Sequence, residues 1–439
     1  MNRTDRKQGI TEQAAEEVAI PTVERVTGRV PLPGSKSVTH RAFILAALSG
    51  GESVVLNALD AEDTRVTASA LRDLGARVEW RGSTVRIRPP HELWRSPSSP
   101  INVGNSGTSL RLLAGLAAAG KGTFVFDGTA RLRERPVGAL TVALETLGAV
   151  VRFPLKRGYP PVVIESDGLC GGRVCVDASQ SSQYLSSILL ASTKASGPVA
   201  VSWEENVSSF PYVEITLQMM AQAGLDFRKA GPTEVVVNAP QVVKPFHYRV
   251  EGDCSSASYF WAAAALTGGS VLTYPVSQAA LQGDCAFLDI LSAMGCRVDW
   301  TEEGVCVQGP RTLRSVDADM NRMPDMVPTL AVLAACAEGA SRIRNVAHLR
   351  IKESDRLRAV AVELSKLGVQ VEEGSDGLVI QGPPRRGATI ETYEDHRIAM
   401  AFAVLGLRVP GVVIRGAATV RKSFPEFWDT FFGLIHGST

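Results

Sequence analysis

Ten cationic side chains stand where apolar helices are predicted to begin, or in loops close to those points. Each helix start also presents backbone N–H groups that no carbonyl of the helix can bind, and these attract anions. A charge-assisted hydrogen bond to an anion contributes roughly 1.5–3 kcal/mol. Any one such cation alone is typical of a solvated surface, but their recurrence predicts a site for a small molecule with several negative charges. The cations are Lys36, Arg41, Arg111, Arg131, Arg133, Arg135, Lys352, Arg356, Arg397 and Lys422.

Two carboxylates stand against this cationic background. Asp325 precedes a predicted apolar helix, and Glu353 is flanked by Lys352 and Arg356. Capping of the helix would explain Asp325, and ion pairing would explain Glu353. A carboxylate in an anion-binding cleft repels the substrate, so its presence there favours a role in proton transfer. The spacing leaves the structural and the catalytic interpretation equally open.

The elements that must position these residues form a repeat. Each of six predicted helices has a polar or basic start, an Ala-rich and Leu-rich body, and a glycine near its end that acts as a stop signal. An amphipathic second helix and alternating strands recur between them. The regular spacing predicts an α/β protein of six similar units. The stop glycines lie about 70–75 residues apart, at Gly51, Gly122, Gly197, Gly269, Gly339 and Gly411.

The sixth unit is shorter than the others. Its second helix is predicted in PEFWDTFFGLIHG, and the sequence then ends at Thr439. Two unassigned strands near the N-terminus, around residues 23–26 and 28–31, are predicted to complete this unit. The N-terminal segment should therefore pack against the C-terminal half.

Six units exceed a single core, because hydrophobic cores stop growing at about 250–300 residues. Three units in each of two lobes are therefore predicted, with a hinge where the chain crosses near Pro33-Gly34 and again at 250–252. A solenoid is the alternative, but it leaves six apolar helices to be covered on all sides. The predicted parts are an N-terminal lobe (35–251), a C-terminal lobe (252–439, completed by strands from 21–34) and a tail (1–20).

Composition argues against several other classes of protein. A net charge of +1 does not favour binding to nucleic acid or to an anionic membrane. No apolar run approaches the roughly 18 residues of a membrane-spanning helix. Metal-binding H-E-x-x-H, phosphate-loop and dinucleotide motifs are missing from the sequence. The seven cysteines are scattered without a C-x-x-C pair, which favours reduced thiols in a cytoplasmic protein.

Ten motifs taken in order resemble the enolpyruvyl transferases, in the branch that acts on shikimate 3-phosphate. The resemblance runs from about Val23 to Phe431. It implies two lobes, each of three βαβαββ units in an inside-out α/β barrel, with the N-termini of six core helices facing the cleft between the lobes. The motifs are PGSKSVTHR, GNSGTSLR, RLRERPVG, SSQY, NVSSFPYVEIT, EGDCSSASYF, MPDMVPTLA, IKESDRL, EDHRIAMAF and RKSFPEFW.

The resemblance implies a reaction on the pathway to chorismate and the aromatic amino acids. The carboxyvinyl group of phosphoenolpyruvate would be transferred to the 5-hydroxyl of shikimate 3-phosphate, with release of phosphate. Asp325 would accept the hydroxyl proton, Glu353 would protonate the methylene carbon, and Lys36 would act beside both substrates. A cytoplasmic monomer is expected, with these two small molecules as its partners and with no metal, cofactor, nucleic acid or membrane involved.

The resemblance also implies two sets of contacts, one for each substrate. His348 departs from the family, since many members have Asn at this position. Shikimate 3-phosphate would be held by Lys36, Ser37, Arg41, Ser181, Ser182, Gln183, Ser209, Tyr212, Asp325, His348 and Lys352. Phosphoenolpyruvate would be surrounded by Lys36, Asn105, Gly107, Arg131, Gln183, Arg356, Arg397 and Lys422.

Two other functions compete with this one. The sister enzymes that act on UDP-N-acetylglucosamine share the fold and the donor. They usually carry a cysteine in the loop that matches 130–136 and a Lys-Asn pair where this chain has Lys36-Ser37. A non-enzymatic anion-binding or RNA-binding repeat protein would need a continuous basic stripe and exposed aromatic residues. Aromatic residues make up only 6% of this chain and mostly follow core patterns, so both alternatives are disfavoured.

Overall fold

The computed structural model describes residues 17–90 and 94–437. Within these ranges the chain forms twelve α-helices, in which apolar core helices alternate with more amphipathic helices. The helices are α1 (Lys36–Ala47), α2 (Glu62–Asp73), α3 (Gly107–Ala118), α4 (Gly138–Thr146), α5 (Gln183–Ser192), α6 (Pro211–Gln222), α7 (Cys254–Thr267), α8 (Phe287–Ala293), α9 (Val327–Ala334), α10 (Arg356–Lys366), α11 (His396–Gly406) and α12 (Phe427–His436).

The strands are short, and each one belongs to one of six sheets. They are β1 (Glu17–Ala19), β2 (Thr27–Pro31), β3 (Ser53–Leu56), β4 (Arg77–Arg81), β5 (Thr84–Arg88), β6 (Ile101–Asn102), β7 (Lys121–Asp127), β8 (Val150–Arg152), β9 (Val162–Asp167), β10 (Gly172–Cys175), β11 (Val199–Ser202), β12 (Phe227–Gly231), β13 (Glu234–Val237), β14 (His247–Arg249), β15 (Ser270–Tyr274), β16 (Arg297–Trp300), β17 (Val305–Gln308), β18 (Asp317–Asp319), β19 (Ala340–Arg344), β20 (Gln370–Glu373), β21 (Leu378–Gln381), β22 (Thr389–Glu391) and β23 (Val413–Arg415).

Five of the sheets have four strands and the same topology. In each, a parallel pair flanks a core helix, and an antiparallel hairpin extends the sheet on one side, as in the order β10-β11-β13-β12. The sixth sheet, β1-β23-β22, is a shortened copy of this arrangement. The predicted α/β class and its six repeated units are therefore confirmed. None of the sheets formed by the described residues closes into a barrel.

The N-terminal strands pair differently from the prediction. Strand β2 runs parallel to β15 in the fourth unit, and β1 pairs with β23 to complete the sixth. The prediction that residues 23–26 and 28–31 complete the sixth unit is therefore wrong, because 23–26 form no strand and 28–31 belong to β2 of the fourth unit. The physical reason lies in β14, which directly precedes the fourth core helix but pairs with β3 of the first sheet. The fourth unit must therefore take its first strand from the N-terminus.

The predicted tail is also shorter than expected. Glu17–Ala19 forms β1, and Ile20 is buried in the core, so residues 17–20 are part of the fold. Apolar burial of Ile20 and the hydrogen bonds of β1 to β23 account for this order. The remainder of the predicted tail, residues 1–16, lies outside the described residues.

The buried apolar residues form two separate clusters. One extends from Val38 to Val250, and the other combines Ile20–Leu32 with Cys254–Ile435. The chain passes between them twice, and the two crossings lie side by side, joined by a bridge between Gly34 and Gly252. A Cβ on Gly34 would lie only 1.9 Å from the carbonyl oxygen of Asn57, so glycine is required for this close approach.

The core helices are apolar on all sides, as their sequences predict. All fourteen residues of α7 are buried, because other elements cover the helix completely. Side chains at several helix starts accept hydrogen bonds from free backbone N–H groups, including Ser106 for α3, Asp253 for α7 and Asp395 for α11. Burying the bodies of these helices in two adjacent cores leaves their polar starts to meet between the cores.

Candidate active site

A polar cleft lies between the two clusters. Residues 36–212 provide one wall, and residues 325–397 provide the other. The starts of α1, α3, α5 and α11 all contribute side chains, as predicted for helices that bind anions. The lining consists of Lys36, Ser37, Thr108, Arg111, Arg135, Ser181, Ser182, Gln183, Ser209, Tyr212, Asp325, Lys352, Glu353, Arg356 and Arg397.

Arg356, at the start of α10, is the centre of the charged part of the cleft. Its guanidinium is 1% exposed and binds three carboxylates. Nη1 donates to Asp325 Oδ1 at 2.8 Å, and Nη2 donates to Glu353 Oε2 at 2.8 Å. Nε donates to Asp395 Oδ2 at 2.7 Å, and Asp395 also caps α11. One buried arginine therefore fixes both predicted catalytic carboxylates relative to each other.

Asp325 does not cap a helix. It lies in a 3-10 turn, Pro324–Met326, and its second oxygen accepts a hydrogen bond of 2.6 Å from Arg397 Nη2. Desolvation alone would raise the pKa of Asp325, but the charges of Arg397, Arg356 and Lys352 outweigh this effect and lower the pKa. The carboxylate is therefore ionised near neutral pH and can accept a proton. Of the two interpretations that the spacing left open, capping is excluded.

Glu353 occupies a stronger positive field. Its Oε1 lies 3.5 Å from Arg135 Nη2, and Oε2 is bound to Arg356. Burial would raise the pKa of Glu353, but Arg135, Arg356 and Lys422 together hold it well below its usual value. A general acid must carry a proton, so this group needs a ligand that draws positive charge away from it before it can donate.

Another buried carboxylate, Asp63 in the first turn of α2, pairs with two lysines of the site. Its oxygens lie 3.2 Å from Lys36 Nζ and 2.8 Å from Lys422 Nζ. Burial opposes this charge, but Lys422 and Lys36 lower the pKa of Asp63 to about 2. Lys422 Nζ also donates to the backbone carbonyl of Asn105 at 3.0 Å. Asp63 thereby holds two predicted substrate-binding lysines in place from opposite halves of the chain.

Sequence reasoning did not find Asp63, because an acidic residue in the first turn of a helix is ordinary. Arg111 and Arg135 were recognised as cations but were left out of the predicted contacts. Both line the cleft, and Arg111 Nη1 donates to Gln183 Oε1 at 2.8 Å. Their position beside the predicted helix starts could have indicated that both arginines line the cleft.

Arg131 lies at the edge of the site and bridges the two halves. Its Nη2 and Nε donate to the carbonyls of Lys352 at 2.9 Å and Glu353 at 3.1 Å. Its Nη1 pairs with Glu134 at 2.6 Å. The loop that carries Arg131 is thus attached to the segment that carries the candidate acid.

Arg41 lies behind the wall of the cleft. Its guanidinium is buried and binds Thr216 Oγ1, the carbonyls of Ser37 and Tyr212, and Ser186 Oγ at 2.7–3.1 Å. Burial lowers the pKa of Arg41 to about 10, so it stays charged at neutral pH. These bonds anchor Ser37 and Tyr212, both of which line the cleft.

The remaining predicted residues, Asn105, Gly107 and His348, adjoin the cleft without forming its lining. A Cβ on Gly107 would come within 2.7 Å of the Arg135 guanidinium, so this glycine leaves room for that side chain. His348 faces a wider neighbouring cavity, and burial lowers its pKa to about 3, which keeps the ring neutral. Among the described residues, neither His348 Nε2 nor Asn105 Oδ1 has a hydrogen-bond partner.

Across residues 17–90 and 94–437, no cluster of three or more His, Cys, Asp or Glu side chains is placed to hold a metal ion. In the same ranges, every helix is too short or too polar to cross a membrane.

Comparison with known proteins agrees with this architecture. An enolpyruvyl transferase from Streptomyces tendae has the same fold, with a TM-score of 0.75, 21% identity and coverage of 95% of this chain and 96% of that chain. A structure of EPSP synthase from Acinetobacter baumannii superposes with a TM-score of 0.79 at 31% identity, covering 95% of this chain and 98% of that one. The chain thus has the fold of the enolpyruvyl transferases.

Sequence comparison specifies the family further. The family model described as EPSP synthase (3-phosphoshikimate 1-carboxyvinyltransferase) matches residues 20–431. A 3-phosphoshikimate 1-carboxyvinyltransferase from Syntrophobacter fumaroxidans is 56% identical over 417 residues, covering 93% of this chain and 98% of that protein. The chain belongs to the EPSP synthase family, which confirms the resemblance found in its motifs.

Proposed function

We propose how the residues of the cleft carry out the reaction of this family. The chain is a transferase of aromatic amino acid biosynthesis: it moves the enolpyruvyl group of phosphoenolpyruvate to the 5-hydroxyl of shikimate 3-phosphate and releases phosphate. The full-length match to the family and to a 56% identical relative supports this activity. The UDP-N-acetylglucosamine alternative is not favoured, because these relatives are named for 3-phosphoshikimate.

The observation that carries the mechanism is the position of both carboxylates on one guanidinium. Asp325 and Glu353 each accept a 2.8 Å hydrogen bond from a different nitrogen of Arg356. The two groups are therefore held a few ångströms apart with their other oxygens directed at different cations. This arrangement suits a base and an acid that act on neighbouring atoms of two substrates in one site.

We assign the base to Asp325 and the acid to Glu353. Asp325 accepts the proton of the 5-hydroxyl as the hydroxyl oxygen attacks. The depressed pKa of Asp325 keeps the carboxylate ionised, and so free to take up this proton, at neutral pH. Glu353 protonates the methylene carbon of phosphoenolpyruvate, so that the adjacent carbon gains cationic character and accepts the attacking oxygen. The resulting tetrahedral ketal phosphate loses a methyl proton and phosphate, which regenerates the vinyl group.

The electrostatics of the cleft explain how Glu353 acquires its proton. Arg135, Arg356 and Lys36 hold its pKa low. When the phosphate and carboxylate groups of the substrates bind these cations, the net positive field at Glu353 falls and its pKa rises. Binding of both anions thus prepares the acid, and Lys36 contributes by lying beside both substrates.

The two substrates occupy different parts of the cleft in this proposal. The hydroxyls and amides of the first wall, together with Lys352, hold shikimate 3-phosphate. Phosphoenolpyruvate is surrounded by the arginines and by the Lys422–Asn105 side, with Gly107 leaving space for Arg135. Arg41 acts on the acceptor through Ser37 and Tyr212. His348 contacts the acceptor from the neighbouring cavity in this proposal, because its buried Nε2 has no hydrogen-bond partner among the described residues.

The proposal includes two lobes that close around this site. The first lobe spans about 35–251, and the second combines 252–439 with the N-terminal strands, with the paired crossings at Gly34 and Gly252 as the hinge. The contacts of Arg131 with Lys352 and Glu353 support closure, because they join the lobes beside the acid. We further propose a cytoplasmic monomer that works without a cofactor.

A phosphate-release assay tests this function. We expect turnover with phosphoenolpyruvate and shikimate 3-phosphate, and none with UDP-N-acetylglucosamine. Asp325→Asn should lower kcat about 10²–10⁴-fold, since it removes a general base. Glu372→Gln, which changes an exposed carboxylate on β20, is the matched control. Turnover of UDP-N-acetylglucosamine would refute the acceptor, and normal kcat in Asp325→Asn would refute the assigned base.

A further inference from the structure

Two cysteines next to the active site are paired. The structure joins Cys254 and Cys285 in a disulfide, with Cα atoms 5.6 Å apart and a sequence separation of 31. This Cα separation is within the usual range for a disulfide. The remaining cysteines carry free thiols. The expectation that all seven are reduced and unrelated is thus wrong for this pair, which no sequence motif marks.

The pair connects two elements at the base of the second lobe. Cys254 is the first residue of α7 and is fully buried. Cys285 lies in the 3-10 turn Gly283–Ala286 and is partly exposed. The start of this turn is held by Gln282, whose Nε2 donates to Glu251 Oε1 at 2.9 Å and to the carbonyl of Gly252 at 2.7 Å. The disulfide is the covalent attachment at its other end.

The same turn contacts the first lobe. A Cβ on Gly283 would lie 2.4 Å from the Cβ of Pro211, so the turn packs directly on the start of α6. The next residue, Asp284, accepts a hydrogen bond of 3.0 Å from the hydroxyl of Tyr212 and another from Ser255. Tyr212 lines the cleft. Asp284 and Tyr212 therefore connect the turn that carries Cys285 to the acceptor side of the site.

Asp284 is weakly held for a buried carboxylate. It is 1% exposed, and its Oδ1 finds no hydrogen-bond partner in the described part of the chain. Its bonds to Tyr212 and Ser255 both use Oδ2. The position of the turn therefore determines whether Tyr212 keeps this partner, and an unpaired buried hydroxyl is costly.

We propose that Cys254 and Cys285 are a reversible thiol–disulfide site whose oxidation state controls how firmly the turn holds Tyr212, and hence the affinity for the acceptor. This proposal rests on the assignment of Tyr212 to the acceptor side. The oxidised form keeps the turn against Pro211 and Tyr212. Reduction frees one end of the turn and weakens the bond between Tyr212 and Asp284. Disulfides in a cytoplasm are typically transient in this way.

The oxidant is a small-molecule disulfide such as oxidised glutathione. The thiolate of the partly exposed Cys285 attacks it, forming a mixed disulfide and releasing one thiolate. The thiolate of Cys254, stabilised at the start of α7, then attacks the sulfur of Cys285 and releases the second thiolate. In total, the cysteine pair loses two electrons and two protons. The small-molecule disulfide gains them and becomes two thiols. A dithiol reverses both steps.

The experiment equilibrates the full chain in glutathione buffers of graded potential and then measures two quantities. Alkylation with mass spectrometry counts free thiols, and steady-state kinetics gives KM for shikimate 3-phosphate. We expect Cys254 and Cys285 to lose and regain their thiols together. KM should rise about threefold to tenfold on reduction, the range for one weakened hydrogen bond, with kcat little changed.

Two variants separate this effect from general oxidation. The double variant Cys254→Ser with Cys285→Ser should have the higher KM at every potential, and Cys170→Ser, which changes an exposed free cysteine, should respond as the wild type does. If both thiols stay alkylatable in the most oxidising buffer, or if the crosslink forms while KM stays constant, the proposal is overturned. An enzyme that still turns over shikimate 3-phosphate in those cases leaves the proposed function intact.

Discussion

The two walls of the cleft are built from different chemical groups. The first wall, from residues 36–212, supplies hydroxyls, the amide of Gln183 and cations, and among the described residues it contributes no carboxylate to the lining. The second wall, from residues 325–397, supplies Asp325 and Glu353 together with the arginine that joins them. Similar repeated units thus produce one surface suited to binding and another suited to proton transfer.

The difference shows where a repeat fold with several anion-binding helix starts can accommodate catalytic carboxylates. The starts of α1, α3, α5 and α11 contribute to the cleft and attract anions, so binding groups recur around it. A carboxylate in the same place repels the substrates and must be compensated by several cations. For Asp325 the second wall provides this compensation through Arg397, Arg356 and Lys352. Glu353 depends in addition on Arg135 of the first wall.

The largest effect should come from Arg356→Lys. An ammonium group cannot bridge three carboxylates, so Asp395, Asp325 and Glu353 cannot all keep this partner. We expect stability to fall by roughly 3–5 kcal/mol, as for other broken buried ion pairs, and activity to fall more than that change in folding explains. Urea unfolding and kcat/KM measure the two effects. Arg358→Lys, at an exposed position of the same helix, is the control; equal losses in both variants would contradict the central role of Arg356.

A smaller effect concerns Asp63, the buried carboxylate behind the first wall. Its pKa is lowered to about 2 in the folded chain, below the value of about 3.9 for an unfolded chain. Because the pKa of Asp63 is lower in the folded chain, the ionised carboxylate stabilises the fold by ~2 kcal/mol above pH ~4. This contribution is lost as the pH falls toward 2.

Comparison of the wild type with Asp63→Asn by urea unfolding between pH 5 and 2 measures this contribution. The difference in stability between the two proteins should shrink across that window. Asp60→Asn changes an exposed carboxylate nearby and should show little such change. A constant difference between wild type and Asp63→Asn would show that the lysines do not stabilise this charge.

The smallest effect concerns a neutral group of the first wall. Ser182 is buried at the start of α5 and lines the cleft. Removing its hydroxyl in Ser182→Ala should raise KM for shikimate 3-phosphate about tenfold, as expected for one hydrogen bond to a charged group, while kcat stays within about twofold. Ser196→Ala, at an exposed position, is the control. A fall in kcat with unchanged KM would place Ser182 in the chemical step. It would contradict the assignment of the first wall to binding alone.

Much of the fold followed from the repeat in the sequence. Stop glycines such as Gly51 and Gly269 predicted six core helices, and the cations beside the helix starts predicted an anion-binding cleft. The N-terminal strands were misassigned because pairing depends on distant partners: β14 joins β3, nearly two hundred residues away in sequence, and this leaves β2 for β15. Such exchanges leave no local signal.

The site was predictable to a similar degree. Spacing marked Asp325 and Glu353 as unusual, but only the resemblance implied their separate roles. The buried carboxylates that pair with the cations around Asp325 and Glu353 were not predicted. In the sequence, Asp395 has the pattern of an ordinary helix cap, and Asp63 that of an ordinary acidic residue in a first turn. Burial distinguishes these residues from their surface equivalents, and burial depends on packing between units. The Cys254–Cys285 pair escaped notice for the same reason.

The division of proton transfer between the two carboxylates is tested most directly by following the reaction in D₂O. NMR detects deuterium that enters the methylene group from a protonated acid. The wild type should incorporate deuterium during turnover. Glu353→Gln should bind shikimate 3-phosphate within about threefold of the wild type yet incorporate essentially none, because the amide cannot donate a proton to carbon. Incorporation by Glu353→Gln at the wild-type rate would show that another group protonates the methylene carbon, and the assignment of Glu353 as the acid would be wrong.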